Sequence, residues 1–230
     1  MTAIIKKELK NYFLSPIGYI VIGVFLTVFS IFFFLTTVGS NSINLTYLFY
    51  YTALWGLMFM TPLITMWSIS GERKSGTDQL IMTSPVGMFG VVMAKFIASM
   101  ILILIPVFCT VIYFIIVAFF NTPDVPTYLT SMLGFILLSM AYVSFGIFAS
   151  SLTESPIISA ILSFGIVFGS TLLPEIIYSI SKVNLSSMLN LYANFIYGKI
   201  DIFSTVALIT ITILLLTLTI IVMQRRKSVK

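Results

Sequence analysis

Apolar positions along the chain gather into six long stretches, at about 16–38, 47–70, 91–120, 128–151, 156–178 and 203–223. The first four and the last run without charge for the ~20 residues that one helix needs to cross a hydrocarbon core. The fifth is bracketed by Pro156 and by Pro174-Glu175 near its end. Gly and Pro recur inside these stretches, as membrane helices allow more readily than soluble ones. The pattern predicts an all-α, polytopic membrane protein with six transmembrane helices. Residues 1–230 are expected to form one transmembrane domain: an interfacial helix over 1–15, a six-helix unit over 16–223 and a basic tail over 224–230.

Composition supports this division. Of 230 residues, 59% are hydrophobic and 8% charged, too few charges to cover the surface of a soluble domain, where about a quarter of residues are charged. The net charge of +5 does not indicate a nucleic-acid surface, because the basic residues flank apolar runs and form no single solvated face. With the N-terminus inside, the inner segments hold Lys6, Lys7, Lys10, Arg73, Lys74, Lys95, Arg225, Arg226, Lys227 and Lys230, and the outer ones only Lys182 and Lys199. That is a strong positive-inside bias, and six crossings return the C-terminus to the same side. A multi-pass protein of the cell (inner) membrane, with both ends cytoplasmic, is expected. The run after Lys10 is too long for a signal-peptide core and ends at no small-x-small site.

Residues 2–13 place Ile5, Leu9 and Tyr12 on one helical face and Lys6, Lys7 and Lys10 on another. This is either a short amphipathic helix lying in the cytoplasmic interface until Ser15-Pro16, or an ordinary basic flank that sets topology. Lys95, just inside the third span, is expected to reach back to the cytoplasm. Small residues mark helix contacts. Gly165 and Gly169 form a GxxxG in the fifth span, behind Ser155, Ser159 and Ser163, and Gly146 and Ser150 repeat the spacing in the fourth.

Several chemistries are disfavoured. The chain has no His and one Cys, Cys109, so it offers neither an internal disulfide nor a clustered metal site, and no catalytic residue is proposed. Every charge lies near a span end or in a loop, which disfavours a secondary carrier with its own titratable relay. The sequence Gly71-Glu72-Arg73-Lys74-Ser75-Gly76-Thr77 has the glycine spacing of a P-loop, but Thr-Asp stands where Lys-[Ser/Thr] is required. The chain is expected to bind no cofactor; any ATP and Mg would sit on a partner.

The loop over 71–90 is the most informative solvent-facing stretch. Ser75 and Asp78 offer an N-cap pairing, and a short helix would end near Met82, before Ser84-Pro85. Leu80 and Ile81 put apolar side chains on an element without a core of its own. It suits a groove on a partner protein or, equally, a connector on lipid headgroups.

Glu72-Arg-Lys-Ser-Gly76-Thr77-Asp-Gln-Leu80, with Ser84-Pro85-Val86 and Lys95, resembles the signature of type-2 ABC exporter permeases. Lys6-Lys7-Glu8-Leu9, then Tyr12-Phe13-Leu14-Ser15-Pro16-Ile17-Gly18-Tyr19, is similar to the opening of permeases from gliding-motility and nitrous-oxide-cluster ABC systems. The end of the chain, Asn194-Phe195, Gly198-Lys199-Ile200-Asp201 and Gln224-Arg225-Arg226, looks like the same group. Asp78-Gln79 departs from the pattern, which often carries another acidic residue there.

The resemblance implies the type-2 exporter transmembrane fold and a permease subunit without catalytic residues, paired with a second copy or a sister permease and driven by cytoplasmic ABC ATPase subunits. It implies an ATPase-coupling interface at Glu72, Arg73, Gly76, Thr77, Asp78, Leu80 and Pro85, with a smaller contact at Thr153 and Glu154. An outer gate of short re-entrant helices would span 174–201, with Pro174, Glu175, Phe195, Gly198 and Asp201. From composition alone, that segment reads either as re-entrant or as an amphipathic helix on the outer leaflet. Two other functions stay open: a membrane anchor for an ATPase without solute transport, and a secondary carrier driven by an ion gradient.

Overall fold

The computed structural model describes residues 2–39, 45–77, 87–120, 122–182 and 186–229, and these are helical with short connectors and no strand. Six segments among them are long and apolar enough to cross a membrane: Pro16–Thr37, Thr46–Lys74, Met88–Phe120, Val125–Leu152, Pro156–Ile180 and Ile202–Arg226. Large apolar side chains such as Phe119, Phe120, Ile157 and Ile161 stand on the outside, an exterior suited to hydrocarbon.

The first helix, α1 (Thr2–Leu14), ends where Ser15 turns extended and Pro16 takes the first position of α2 (Pro16–Phe33). Proline suits that position because the N–H it lacks has no partner within the helix. The chain doubles back so tightly that a Cβ on Gly18 would lie 2.4 Å from the carbonyl oxygen of Tyr12. Glycine is therefore required at 18. Beyond α2 the helix widens into a π turn, Phe34–Val38. In α2, Thr27 and Ser30 return their hydroxyls to carbonyls one turn back, at 2.8 Å each, so they present no bare donor to lipid.

The second span is segmented: α3 (Thr46–Tyr51), a π turn (Thr52–Leu57), α4 (Met58–Thr65) with Pro62 inside it, a non-helical break over 66–69, and α5 (Ser70–Lys74). The third comprises α6 (Met88–Cys109) and α7 (Val111–Phe120), parted at Thr110, whose hydroxyl turns back to Val107 O and meets the Tyr128 hydroxyl at 2.8 Å. The fourth, α8 (Val125–Leu152), is the axis of the bundle and packs on α4, α6 and the three helices that follow it. Its small residues let neighbours close in. Phe29, Phe49, Phe135 and Tyr128 form an aromatic core against it, with ring centroids 5.5–5.9 Å apart.

The fifth span differs from expectation. α9 (Pro156–Ser181) continues straight through Pro174 and ends at Lys182 in the left-handed region (φ 55°). Proline costs one backbone bond and its ring crowds the preceding turn, yet inside a long apolar helix this does not stop the run. A short helix, α10 (Met188–Ile196), is capped by Ser187, whose hydroxyl accepts from Asn190 N–H at 3.0 Å. The last, α11 (Ile202–Val229), completes the bundle.

Candidate functional site

One end of the bundle gathers Lys7, Glu8, Glu72, Lys95, Glu154 and Arg226 into ion pairs, and the break in the second span organises it. Where α4 stops, the Ile69 and Ser70 N–H groups lose their helical partners and must find another. Ser150 of α8 supplies an acceptor: its Oγ receives the Ile69 and Ser70 N–H groups, each at 3.0 Å. Lys95 of α6 supplies a donor, reaching Ser68 O at 2.5 Å. The Ser70 hydroxyl closes back on Met66 O.

α5 then ends in a Schellman motif. Thr77 N–H donates to Glu72 O and Gly76 N–H to Arg73 O, both at 3.0 Å, and Gly76 has φ 71°. A left-handed residue at this place favours glycine, so Gly76 and Thr77 owe their positions first to stopping α5. Ser75, expected to open a helix, is instead the C-cap of α5, its hydroxyl turned to Gly71 O at 3.0 Å and Glu72 O at 3.1 Å. Asp78, Leu80 and Pro85, and with them the expected helix through Met82, lie outside the described residues.

Lys95 does not reach toward solvent. It is 1% exposed, and its Nζ stands 2.8 Å from Glu72 and 2.9 Å from Glu8. A buried ammonium is tolerated only when paired and hydrogen-bonded, and both carboxylates converge on it. Glu72 also meets Lys7 at 3.2 Å, nearer solvent. The partner from α1 follows from its stripe: Ile5, Glu8, Leu9 and Tyr12 line the packed face, while Lys6, Lys7 and Lys10 are exposed. The Tyr12 hydroxyl donates to Ile64 O at 3.2 Å and meets Ser99 Oγ at 3.3 Å. Burial pushes Tyr12 up to about 12, with the Ser99 hydrogen bond opposing and Glu8 adding to the rise. A cleft of about 750 Å³, bordered by Lys7, Asn11, Trp67 and Thr77, opens between α1 and α5.

The connector after α8 sits beside these groups. Arg73 donates to Thr153 O at 3.2 Å, and Arg226 of α11 donates to Leu152 O at 3.1 Å and lies 3.9 Å from Glu154. Two guanidinium groups thus cover carbonyls at the negative end of a long helix. Glu72, Arg73, Gly76, Thr77, Thr153 and Glu154 share one surface. Glu8 and Ser150, both buried, lie beneath that surface and Arg226 at its edge. The sequence marks Ser150 only for helix packing, Arg226 only among the inner basic residues and the closing resemblance, and Glu8 only within the opening that resembles the family, so it assigns none of them this place.

Residues 57–222 match a family described as ABC-2 family transporter protein. The chain belongs to that family. No curated protein matches it. It is therefore the multi-pass permease component of an ABC transporter, and in this family ATP hydrolysis typically resides in separate ABC ATPase subunits, which the permease partners. The match covers Glu72, Lys95, Ser150 and the connector at 152–155, while α1 precedes it.

At the opposite end, three of the five residues expected at an outer gate come together. Phe195 is fully buried on Gly134, where a Cβ would meet its ring at 2.6 Å. Ser131 donates to Phe195 O, and the Tyr192 hydroxyl to Ser131 O, at 3.2 and 3.3 Å. Gly198 (φ 74°) turns the chain against Thr127. Asp201 caps α11, accepting from Phe203 N–H, Ser204 N–H and Ser204 Oγ at 3.3, 3.1 and 2.6 Å and from Asn194 at 3.3 Å. The Ser204 hydroxyl and amide hold its carboxyl below the usual value. Pro174 and Glu175 stand apart, on the continuing α9 with Glu175 exposed, so α10 is the only separate short helix among the described residues of 174–201.

The glycines divide similarly. At Gly146 a Cβ would lie 2.1 Å from Thr65 Oγ1, so α8 closes on α4 there. Gly165 meets nothing within 4 Å, and Gly169 meets only Leu173 of its own helix. Among the described residues, no group of His, Cys, Asp and Glu suits a metal ion.

Proposed function

We propose that this permease moves a substrate across the cell membrane, most simply outward, using ATP hydrolysed by two cytoplasmic ABC ATPase subunits that dock on its polar end. The observation that carries the reading is convergence. In a chain of this family, α1, the broken end of the second span, the connector after the fourth and the tail of the sixth meet at one face, where a partner would touch all of them. Glu72, Arg73, Gly76, Thr77, Thr153 and Glu154 would line that contact, with Asp78, Leu80 and Pro85 beside them. The lysine and arginine distribution supports a cytoplasmic position for both termini. The whole chain acts as one transmembrane domain and binds no cofactor itself.

Two permeases would pair, as identical copies or with a sister chain, and Gly165 and Gly169 offer the second copy a close approach. The α10 segment, with Phe195, Gly198 and Asp201, would close the outer end, flanked by Pro174 and Glu175. Membership of the gliding-motility and nitrous-oxide group is supported by the opening sequence, whose Glu8, Tyr12, Pro16 and Gly18 each have a structural task.

The test is to purify the chain from its native membrane in mild detergent, before and after cross-linking. A stoichiometric soluble partner carrying a P-loop is expected, with its yield falling when Gly76→Asp and Glu154→Lys are combined. A cross-linked preparation containing no such partner would reject the reading.

A further inference from the structure

α5 has five residues and follows a four-residue break, too short to hold its own place. What fixes it comes from elsewhere in the chain. The Lys95 ammonium carries three donors and has three acceptors: Glu8 at 2.9 Å, Glu72 at 2.8 Å and Ser68 O at 2.5 Å. Each acceptor belongs to a different segment: α1, α5 and the break. From the other side, Ser150 takes the Ile69 and Ser70 N–H groups. Lys95 is buried and Glu8 nearly so, so displacing any one segment alone would strip a buried ion of a partner, at a cost the low-dielectric surroundings make large.

We infer that Lys95 is a positioning residue for energy coupling: its ammonium latches α1 and α5 to the third span, so that a displacement imposed on α5 carries α1 and α6 with it. The inference rests on the proposal that an ATPase docks at this end. Lys7, half exposed and, among the described residues, paired with Glu72 alone, lies at the rim and is not part of the latch. Removing the latch would leave nucleotide hydrolysis and docking in place and cut their connection to the far end of the bundle.

The experiment uses the permease co-purified with its ATPase and returned to lipid nanodiscs. An environment-sensitive fluorophore is attached at Tyr197→Cys, an exposed site at the end remote from α5, in a Cys109→Ala background. The readout is the change in emission on trapping with ATP and vanadate. The test variant is Glu8→Gln with Lys95→Met, which removes both buried charges together and leaves Glu72 paired with Lys7. ATPase binding and hydrolysis are expected to stay within about twofold, while the response at position 197 falls about tenfold, within the usual range of coupling between sites. Should the double variant fold poorly, Glu8→Gln alone severs α1 from the ion pair, and about a threefold loss is expected. An undiminished response with normal hydrolysis, in whichever variant is measured, overturns the latch. Loss of ATPase binding would overturn it too, by making these residues part of the docking surface. A native complex that brings no ATPase overturns the docking proposal instead, and that failure appears without any substitution; a native complex that holds the ATPase but gives no response at position 197 overturns the latch.

Discussion

Gly146→Ala should weaken the bundle measurably, and its size can be worked from the contact. The added Cβ would sit 2.1 Å from Thr65 Oγ1, 2.8 Å from Thr65 Cβ and 2.9 Å from Thr65 Cγ2. Because the Thr65 Cβ itself is too close, no rotation of that side chain relieves the clash, and α8 must move away from α4. Overpacking of this kind costs about 1–3 kcal/mol, and the contact argues for the upper end. Alanine returns about 1 kcal/mol through helix propensity, leaving a net loss of about 2 kcal/mol. For a chain of this size that lowers the melting temperature by about 4–8 °C. The assay is the temperature at which monodisperse protein is lost from size-exclusion chromatography in detergent. Gly23→Ala in α2, where a Cβ meets nothing within 4 Å, is the matched control and should be neutral or slightly stabilising. Adding Thr65→Gly to Gly146→Ala should recover at least half the loss, the signature of a direct contact. Equal melting temperatures for Gly146→Ala and Gly23→Ala would refute the reasoning.

Lys95→Met alone strands Glu8 without its cation, and about 3–5 kcal/mol of stability should disappear; adding Glu8→Gln should recover most of it in the same thermal assay. Ser150→Ala leaves the Ile69 and Ser70 N–H groups unpaired in a buried site, costing about 1–3 kcal/mol, and should raise amide exchange at those two positions without affecting α10. Asp201 titrates below the ordinary carboxylate value of 3.8 in the folded chain, so its stabilisation is complete above that value and lost as pH falls through the lowered one. The protection of the α11 N-terminus, followed by hydrogen exchange, should therefore be flat from neutral pH to about 5 and decline only in stronger acid. Asp201→Asn should flatten that acid decline.

The six crossings were legible because apolar run length is a local property, and α1 because its stripe of Ile5, Leu9 and Tyr12 is local too. What failed to show involves neighbours distant in sequence. Lys95 near a span end fits reaching back to solvent as well as burial; its partners Glu8 and Glu72 stand 87 and 23 residues away, and only the packing of α1 on α6 brings them together. Ser150 looked like one of many small residues until the break at 66–69 gave it two N–H groups to receive. Pro174-Glu175 misled for the opposite reason: a strong local breaker signal gave way to the apolar helix around it. Gly165 and Gly169 carried the more familiar motif, yet Gly146 makes the close contact within the chain, since spacing does not reveal which face a neighbour covers.

The ion pair at Lys95 also bears on how the protein is made. A lone lysine at the centre of a membrane helix costs about 2.5–3.5 kcal/mol to place in a bilayer, and Lys95, near the start of the third span, would bear part of that cost if it entered unpaired. Synthesis runs from the N-terminus, so Glu8 and Glu72 have already emerged when the third span reaches the membrane. The cation can meet waiting carboxylates instead of facing lipid unaccompanied. A circularly permuted chain that delivered the third span before α1 would lose this order, and insertion of that span would become the hazardous step of its biogenesis.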